Sequence, residues 1–218
     1  MSKPLIAAVL ISGNGSNLQA IIDTISERSI NCEIRLVLSN RSDAYGLTRA
    51  SQAGITTRVI NHRDFADRLS FDRAMMEVLD PLQPDVLILA GFMRILSSEF
   101  VQHYHGRMIN IHPALLPDLK GLDTHQRALD GNHGRHGATV HYVTPDLDSG
   151  PAIVQGSLDI REDDDAKSLQ QRVHRIEHRI YPLVVEWLAE GRLTYDESIF
   201  LDGNRLDERG IQYHYADV

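Results

Sequence analysis

Apolar runs of strand length alternate with amphipathic stretches in the first half of the chain, and this alternation most constrains the fold. Nearly uninterrupted apolar runs occupy residues 5–11, 34–38 and 85–90, as expected of parallel strands that are covered on both faces. A shorter run occupies residues 57–60, and an amphipathic stretch with helical spacing follows each of the four runs. The pattern predicts a right-handed parallel βαβ sheet.

The second half of the chain has a different pattern. Residues 138–143 alternate between apolar and polar, and residues 152–155 predict another strand. We expect these later strands to pair antiparallel at one side of the sheet. Leu169 to Trp187 form a predicted long amphipathic helix, and residues 199–206 a predicted hairpin that turns on Asp202-Gly203.

Charge and cysteine content exclude several classes of protein. The 218 residues carry a formal net charge of −8, with no offsetting basic stretch, which argues against a nucleic-acid surface. Cys32 is the only cysteine, so an internal disulfide is impossible, as suits a reducing compartment. No apolar run approaches the length of a membrane span. We expect a cytoplasmic protein that binds neither nucleic acid nor membrane.

Asn110 and His112 form the first candidate site. A strand over residues 108–111 runs into His112-Pro113, and residues two apart in a strand point to the same face. Open α/β sheets bind their ligands at the carboxyl ends of the strands, where this pair lies. The alternative is that the two side chains only tie down a loop through hydrogen bonds.

Gly13-Asn-Gly-Ser-Asn17 lies between a predicted strand and a predicted helix. Glycines allow close approach to the backbone, and free N–H groups at a helix start bind anions. A dinucleotide fingerprint would need glycine at Leu18 and an acidic residue in place of Asn40, so NAD is not expected. A plain tight turn remains the alternative.

His174-Arg-Ile-Glu177-His178 matches the inverted zincin signature H-x-x-E-H. A zinc site needs a third protein ligand, and the sequence supplies none with clear spacing. We therefore predict no metal, and a polar helix stripe is the simpler interpretation.

His141 shows no ligand spacing and receives no role. Asp43 is predicted to cap a helix that ends at Gly54.

The stretch over residues 91–117, GFMRILSSEFVQHYHGRMINIHPALLP, resembles the core of the folate-dependent formyltransferases, in which an N-x-H pair precedes a Pro-rich loop. LISGNGSNLQAII, over residues 10–22, is similar to the members that act on glycinamide ribonucleotide. The resemblance runs from about residue 8 to about residue 210.

The resemblance implies a Rossmann-like formyltransferase fold, that is, a mostly parallel twisted sheet flanked by helices, with antiparallel strands toward the C-terminal part. Residues 1–218 would form one domain, with a nucleotide-binding half to about residue 106 and a folate-binding, catalytic half from about residue 107. It also implies transfer of the formyl group of 10-formyltetrahydrofolate, a co-substrate, to the amine of 5′-phosphoribosylglycinamide in purine synthesis. A monomer or a homodimer is expected.

Roles for individual residues follow from the same resemblance. The catalytic residues would be Asn110, His112 and, in the DLDSGP loop, Asp148. The phosphate and ribose would contact Gly15, Ser16, Asn17 and Glu177. The folate would contact Arg68, Phe92, Met93, Arg94, Ile95, Leu96 and Asn110. Asp123 departs from the pattern, which often has histidine there, and this departure leaves the substrate contacts of position 123 undefined.

Formyl transfer passes through a tetrahedral oxyanion, which needs hydrogen-bond donors and a route for the proton that leaves the amine. Asn110 offers an amide N–H, and a protonated His112 offers a charged donor. Asp148 would favour the imidazolium and relay a proton through water. Covalent catalysis is the weaker scheme, because Cys32 and Ser12 lack a visible base.

Two other functions remain open. A formyltetrahydrofolate deformylase would use the same Asn, His and Asp side chains. Those hydrolases resemble this chain only after an N-terminal regulatory domain, and the first strand here starts at Leu5, so a hydrolase is less expected. A non-catalytic module that binds a nucleotide through residues 13–17 is the alternative from a different class.

Overall fold

Eleven strands and six α-helices make up the computed structural model, which describes residues 3–216 and 218. The strands are β1 (Leu5–Ile11), β2 (Cys32–Ser39), β3 (Thr57–Val59), β4 (Val86–Leu89), β5 (Met108–His112), β6 (Arg135–Tyr142), β7 (Ala152–Asp159), β8 (Leu193–Asp196), β9 (Ser198–Leu201), β10 (Asn204–Arg205) and β11 (Ile211–His214). The helices are α1 (Ser16–Arg28), α2 (Tyr45–Gln52), α3 (Arg68–Leu79), α4 (Ser98–His103), α5 (Thr124–Asp130) and α6 (Ala166–Ala189).

Eight of the strands form one sheet in the order β11-β7-β6-β5-β4-β1-β2-β3. Strands β1 to β5 are mutually parallel, and β6 pairs antiparallel with both β5 and β7. The predicted fold class is therefore confirmed, including the antiparallel pairing of the later strands. Strands from both sides of residue 106 belong to this sheet, while the division of the chain into two functional halves stays a prediction.

The order of the parallel strands reverses direction between β1 and β4. The chain moves from β1 outward to β2 and β3, then returns to β4 on the other side of β1. The loops that follow β1 and β4 consequently diverge and leave a crevice at the carboxyl ends of the two strands. The crevice is a consequence of topology, and it lies directly beside the predicted glycine-rich loop.

Two apolar clusters cover the faces of the sheet. Alternate residues of β1 enter different clusters: Val9 packs with α1 and α6, whereas Leu10 packs with α3 and α4. This division explains the unbroken apolar runs, because each central strand buries both of its faces. Among the described residues, no helix is long and apolar enough to cross a membrane.

The starts of α4 and α2 differ in how they are capped, and the second corrects a prediction. Ser97 caps α4 by accepting the N–H of Phe100 at 3.3 Å. The predicted cap at Asp43 is wrong: Ala44 occupies the N-cap of α2, and Asp43 instead binds Arg41 through two hydrogen bonds of 2.9 and 2.7 Å. The side chain of Arg41 offers two charged donors to that carboxylate, a stronger attraction than one backbone N–H.

The C-terminal part holds elements that the sequence pattern did not predict. The predicted hairpin on Asp202-Gly203 is present, but β8 joins it to form a separate three-stranded antiparallel sheet. Strand β11 extends the main sheet by pairing parallel with β7. Both additions are short strands: β8 pairs with the strand that follows it, whereas β11 pairs with a strand more than fifty positions earlier.

Tyr181 joins α6 to the middle of the sheet. Its side chain is fully buried, and its hydroxyl group faces the carbonyl oxygens of Leu89 at 3.0 Å and Ile109 at 3.1 Å. Leu89 is the last residue of β4 and Ile109 the second residue of β5, so a single side chain fixes the helix against both strands.

We predict that Tyr181→Phe lowers the free energy of unfolding by about 1–2 kcal/mol, because a buried hydrogen bond is lost without any change in ring packing. Urea unfolding measures the effect. Tyr45→Phe is the matched control, since the Tyr45 side chain is half exposed, and its change should stay within about 0.5 kcal/mol. Equal losses in the two variants would contradict the role of the Tyr181 hydroxyl.

Candidate active site

A cavity of about 590 Å³ occupies the crevice at the carboxyl ends of β1 and β4. Its lining comes from the segments that follow β1 to β5 and from helices α1, α5 and α6. The lining residues with polar side chains or glycine include Ser12, Gly13, Asn14, Gly15, Ser16, Asn17, Asn40, Arg41, His62, Arg63, Gly91, Arg94, His125, Gln170, His174 and Glu177. Such a wall, rich in hydrogen-bonding groups and cations, suits a polar, anionic ligand.

Ser12 ties the mouth of this cavity together. Its hydroxyl donates to the side chain of Asn40 at 2.6 Å and accepts the backbone N–H of Met93 at 2.7 Å. Its own N–H donates to the carbonyl of Gly91 at 3.1 Å. One residue therefore connects the ends of β1, β2 and β4, and serine here acts as a structural link rather than as a nucleophile.

The glycine-rich loop packs closely on the start of α2. Gly15 has a φ of +73°, and a Cβ atom on it would lie 2.6 Å from the Cα atom of Gly46. The N–H of Gly46 donates to the carbonyl of Gly13 at 3.0 Å, and Arg49 Nε donates to the carbonyl of Asn14 at 2.9 Å. The turn therefore requires glycine, and α1 begins immediately after it with its N-terminus toward the cavity.

Asn17 and Glu177 form a buried pair at the base of the cavity. Asn17 Nδ2 donates to Glu177 Oε2 at 2.8 Å, and the two residues are 9% and 4% exposed. Burial raises the pKa of Glu177 to about 7, with the hydrogen bond from Asn17 acting in the opposite direction. The Oδ1 atom of Asn17 is buried without a hydrogen-bond partner. This pair can exchange hydrogen bonds with hydroxyl groups of a ligand.

The H-x-x-E-H motif lies on α6 with its two histidine rings stacked, 6.2 Å between centroids. Its glutamate, Glu177, is hydrogen-bonded to Asn17, and His174 lines the cavity. Burial lowers the pKa of both His174 and His178. Among residues 3–216 and 218, no group of three or more His, Cys, Asp or Glu side chains is placed to hold a metal ion.

His112 and Asp148 lie together beside the cavity. His112 Nδ1 is 3.4 Å from Asp148 Oδ2, and the two side chains are 7% and 8% exposed. His112 Nε2 lies 3.0 Å from the carbonyl oxygen of Leu119, and Asp148 Oδ2 also accepts the N–H of Gly121 at 3.0 Å. Each ring nitrogen of His112 thus faces an oxygen atom, and Nε2 acts as a donor because a carbonyl can only accept.

Asn110 is oriented by His141, a residue to which the sequence analysis gave no role. The antiparallel register of β5 and β6 places the two side by side, and Asn110 Nδ2 lies 3.2 Å from His141 Nε2. Burial lowers the pKa of His141 to about 4, so the ring is neutral at pH 7. Its Nδ1–H donates to the carbonyl of Tyr142 at 2.9 Å, which leaves Nε2 as the acceptor for Asn110.

Thr139 supports the loop that follows His112. Its hydroxyl donates to the carbonyl of Ala114 at 2.7 Å and accepts the N–H of Leu116 at 3.1 Å. Thr139 and His141 alternate with apolar residues along β6, with the same two-residue spacing as Asn110 and His112 on β5. That matching pattern is the signal in the sequence that could have identified His141.

The segment over residues 91–97 has an inner and an outer side. Phe92 and Leu96 are partly buried against the α3–α4 cluster, whereas Met93 and Ile95 are 70% and 54% exposed. An apolar ligand ring placed on this segment would therefore meet Met93 and Ile95 first. Arg94 is exposed and lines the cavity.

The predicted site residues fall into two groups in space. Gly15, Ser16, Asn17 and Glu177 line one cavity, together with Met93 and Arg94. Asn110, His112 and Asp148 form a second cluster on the neighbouring end of β5. Arg68 is exposed at the first turn of α3 and does not line the cavity. Asp123 is exposed and takes a φ of +57° before α5.

We predict that Glu177→Gln changes how stability depends on pH. Because the pKa of Glu177 is raised from 4.5 to about 7, folding opposes its ionisation, so the wild type loses stability as the pH rises through that window. Glutamine keeps the hydrogen bond to Asn17 and cannot ionise. The variant should match the wild type near about pH 5 and exceed it near about pH 8, by on the order of 2 kcal/mol.

Urea unfolding of both proteins at each pH tests this prediction. Glu162→Gln is the control, because Glu162 is exposed and its difference from the wild type should stay flat with pH. A flat difference for Glu177→Gln as well would show that Glu177 ionises as freely in the folded protein as in the unfolded chain.

Comparison with known proteins relates this arrangement to one family. A family model described as formyl transferase matches residues 6–185. Phosphoribosylglycinamide formyltransferase of Escherichia coli (strain K12) is 49% identical over 203 residues, which are 93% of this chain and 96% of that protein. The trifunctional purine biosynthetic protein adenosine-3 of Homo sapiens is 44% identical over 191 residues, 88% of this chain but only 19% of that longer protein.

Solved structures agree with the sequence relatives. The phosphoribosylglycinamide formyltransferase of Coxiella burnetii superimposes with a TM-score of 0.92 at 52% identity, covering 96% of this chain and 99% of that one. Glycinamide ribonucleotide transformylase 1 of Symbiobacterium toebii gives a TM-score of 0.88 at 38% identity, covering 92% and 95%. The chain belongs to the formyl transferase family.

Proposed function

We propose that this protein transfers the formyl group of 10-formyltetrahydrofolate to the amine of 5′-phosphoribosylglycinamide, a step of purine biosynthesis. The observation that carries the proposal is the position of the Asn110, His112 and Asp148 cluster. It lies next to a cavity that pairs a helix N-terminus with a buried glutamate. Relatives at 49% and 42% identity that carry the name phosphoribosylglycinamide formyltransferase support the same activity.

The ribonucleotide would occupy the cavity with its phosphate on the glycine-rich loop. Backbone N–H groups of Gly15, Ser16 and Asn17 at the start of α1 supply the partial positive charge that a phosphate needs. Glu177 would then contact the ribose, because its carboxylate is buried and hydroxyl groups are the donors a ribose offers. The amine of the ligand would extend toward the end of β5.

The formyl folate would lie across residues 92–96, with the formyl group near Asn110. The amine nitrogen attacks the formyl carbon, forming a C–N bond and a tetrahedral oxyanion. Collapse of this intermediate breaks the bond to N10 of the folate. One amine proton leaves through water toward Asp148, and N10 gains a proton. The products are the N-formyl ribonucleotide and tetrahydrofolate.

Two donors are available for the oxyanion. Asn110 Nδ2 carries two hydrogens and gives one to His141, so its second hydrogen can donate to the intermediate. His112 donates from Nε2 to the carbonyl of Leu119 at 3.0 Å. The oxyanion would share or replace that carbonyl as the acceptor of the His112 hydrogen.

No covalent intermediate is required by this scheme. Cys32 begins β2, at the opposite edge of the sheet from the cavity. Burial, with the charges of Asp85 and Glu33, raises the pKa of Cys32 to about 12, so its thiolate is scarce at neutral pH.

We further propose a cytoplasmic protein that binds these two small molecules without nucleic acid or membrane, acting as one domain in a monomer or a homodimer.

The hydrolytic alternative differs only in the nucleophile, because water would attack the formyl carbon in place of the amine. The same donors would stabilise the oxyanion. The Asn17–Glu177 pair and the glycine-rich loop favour the transferase, since a hydrolase has no need of a second polar cavity beside its reacting centre.

We predict that loss of the formyl group from 10-formyltetrahydrofolate depends on glycinamide ribonucleotide. The rate is followed spectrophotometrically with the folate alone, with the ribonucleotide, and with free glycinamide as the control. Free glycinamide should react poorly, because it lacks the phosphate and ribose that hold the amine in place. Equal rates with and without the ribonucleotide would identify a hydrolase.

We predict that Asp148→Asn lowers kcat by about a hundredfold or more, because one preorganised charge is lost from the site. Asparagine can still accept the Gly121 N–H, and it tolerates the positive φ of 47° at this position. Dissociation constants for both ligands should change much less, since the loss falls on the transition state.

Steady-state kinetics and calorimetry on the same preparation test the Asp148 prediction. Asp146→Asn is the matched control in the same loop, because Asp146 is exposed and should retain wild-type turnover. A folded Asp148→Asn variant with near-normal kcat would reduce Asp148 to a loop residue.

A further inference from the structure

Asp72 is a buried carboxylate behind the segment over residues 91–97. It lies on α3 and is 1% exposed. Its Oδ2 atom accepts the backbone N–H of Ser97 at 2.6 Å. Ser97 is the N-cap of α4 and ends the segment proposed to hold the folate. At 2.6 Å this hydrogen bond is short for a backbone N–H donor, and it attaches the end of the segment to α3.

The segment has attachment points at both ends. Met93 donates its backbone N–H to Ser12 Oγ at 2.7 Å, and Ser97 donates to Asp72. Between them, Phe92 and Leu96 pack inward while Met93 and Ile95 remain exposed. The two backbone hydrogen bonds therefore determine which side chains of the segment face outward.

The other oxygen of Asp72 is unusual. Oδ1 is buried and has no hydrogen-bond partner. Desolvation raises the pKa of Asp72, against the hydrogen bond from Ser97 and the charges of Arg68 and Arg94. A buried polar atom without a partner costs free energy. Packing of α3 alone does not explain a carboxylate here, because an apolar side chain would fill this position at lower cost.

The two arginines whose charges oppose the rise in the pKa of Asp72 are both proposed to contact the folate. Arg68 is one helical turn before Asp72 on α3, and Arg94 lies within the segment. Both side chains are exposed. Asp72 thus lies beneath the segment and within the electrostatic range of both arginines, which places it behind the proposed folate surface.

We propose that Asp72 is a positioning residue for the folate, which holds residues 92–96 in their binding conformation through the Ser97 N–H. The inference rests on the proposed function and adds a residue that does not itself touch either substrate. Loss of the acceptor should weaken folate binding selectively, because the ribonucleotide cavity is formed mainly by other loops.

Comparing Asp72→Leu with Asp72→Asn distinguishes the loss of the hydrogen-bond acceptor from a change in side-chain volume. Leucine fills the space and removes both oxygens, while asparagine keeps one oxygen for the Ser97 N–H. We expect Asp72→Leu to raise KM for 10-formyltetrahydrofolate by about tenfold, with KM for the ribonucleotide and kcat within about twofold. Asp72→Asn should restore the folate KM to within about threefold of wild type.

Asp80→Leu is the matched control. Asp80 follows α3 at its other end and accepts hydrogen bonds from Tyr104 Oη at 2.7 Å and His103 Nε2 at 2.9 Å. It therefore ties α3 to the far end of α4, away from the folate segment. Asp80→Leu should lower the unfolding midpoint in urea and leave both KM values unchanged.

Calorimetric titration of each variant with 10-formyltetrahydrofolate gives a readout that does not depend on turnover. Unchanged folate affinity in folded Asp72→Leu, or equal losses for both substrates, would overturn the positioning role. If Asp72→Leu does not fold, an Asp72→Asn variant with a tenfold weaker folate affinity would also overturn it, because its acceptor is retained. If the wild-type protein shows no formyl transfer that depends on the ribonucleotide, the proposed function itself is refuted.

Discussion

The parallel pairing of β1 with β4 determines where this protein can bind a ligand. The two strands are neighbours in the sheet but far apart in the chain, and their following loops lead to opposite sides. Hydrogen bonds of Ser12 to Asn40, Gly91 and Met93 connect the ends of β1, β2 and β4 at the mouth of the crevice. The glycine-rich loop and the segment over residues 91–97 are thereby held at a fixed separation, as the proposed reaction between two bound substrates would require.

The antiparallel strand β6 completes the site. Pairing of β5 with β6 places His141 opposite Asn110 and Thr139 opposite His112. The reversed strand then leads directly into the loop that carries Asp148. β6 ends with Tyr142 opposite Ile109, so the loop between β6 and β7 must fold back along the sheet to bring the Asp148 carboxylate within 3.4 Å of His112.

The sequence predicted those parts of the fold that depend on local pattern. Apolar runs identified the central strands, and Gly15 identified a turn that the tight contact with Gly46 now explains. Resemblance supplied roles for Asp148 and Glu177 that their local sequences do not reveal. The partners of His141 and Asp72 could not be predicted, because they lie 31 and 25 positions away, at Asn110 and Ser97; the alternation along β6 marks the position of His141 but not its partner. Strand β11 was missed for the same reason, since it pairs with β7 more than fifty positions away.

Polar groups that are costly to bury are concentrated on one edge of an otherwise apolar sheet. Asp148 and Leu119 both take left-handed backbone conformations, with φ of 47° and 54°, and both contact His112. For leucine such a conformation costs about 1–2 kcal/mol. The carbonyl of Leu119 accepts the Nε2–H of His112, which is the donor that the proposed oxyanion would use. The left-handed backbone at Leu119 and Asp148 is thus found where the loops after β5 and β6 approach the same histidine.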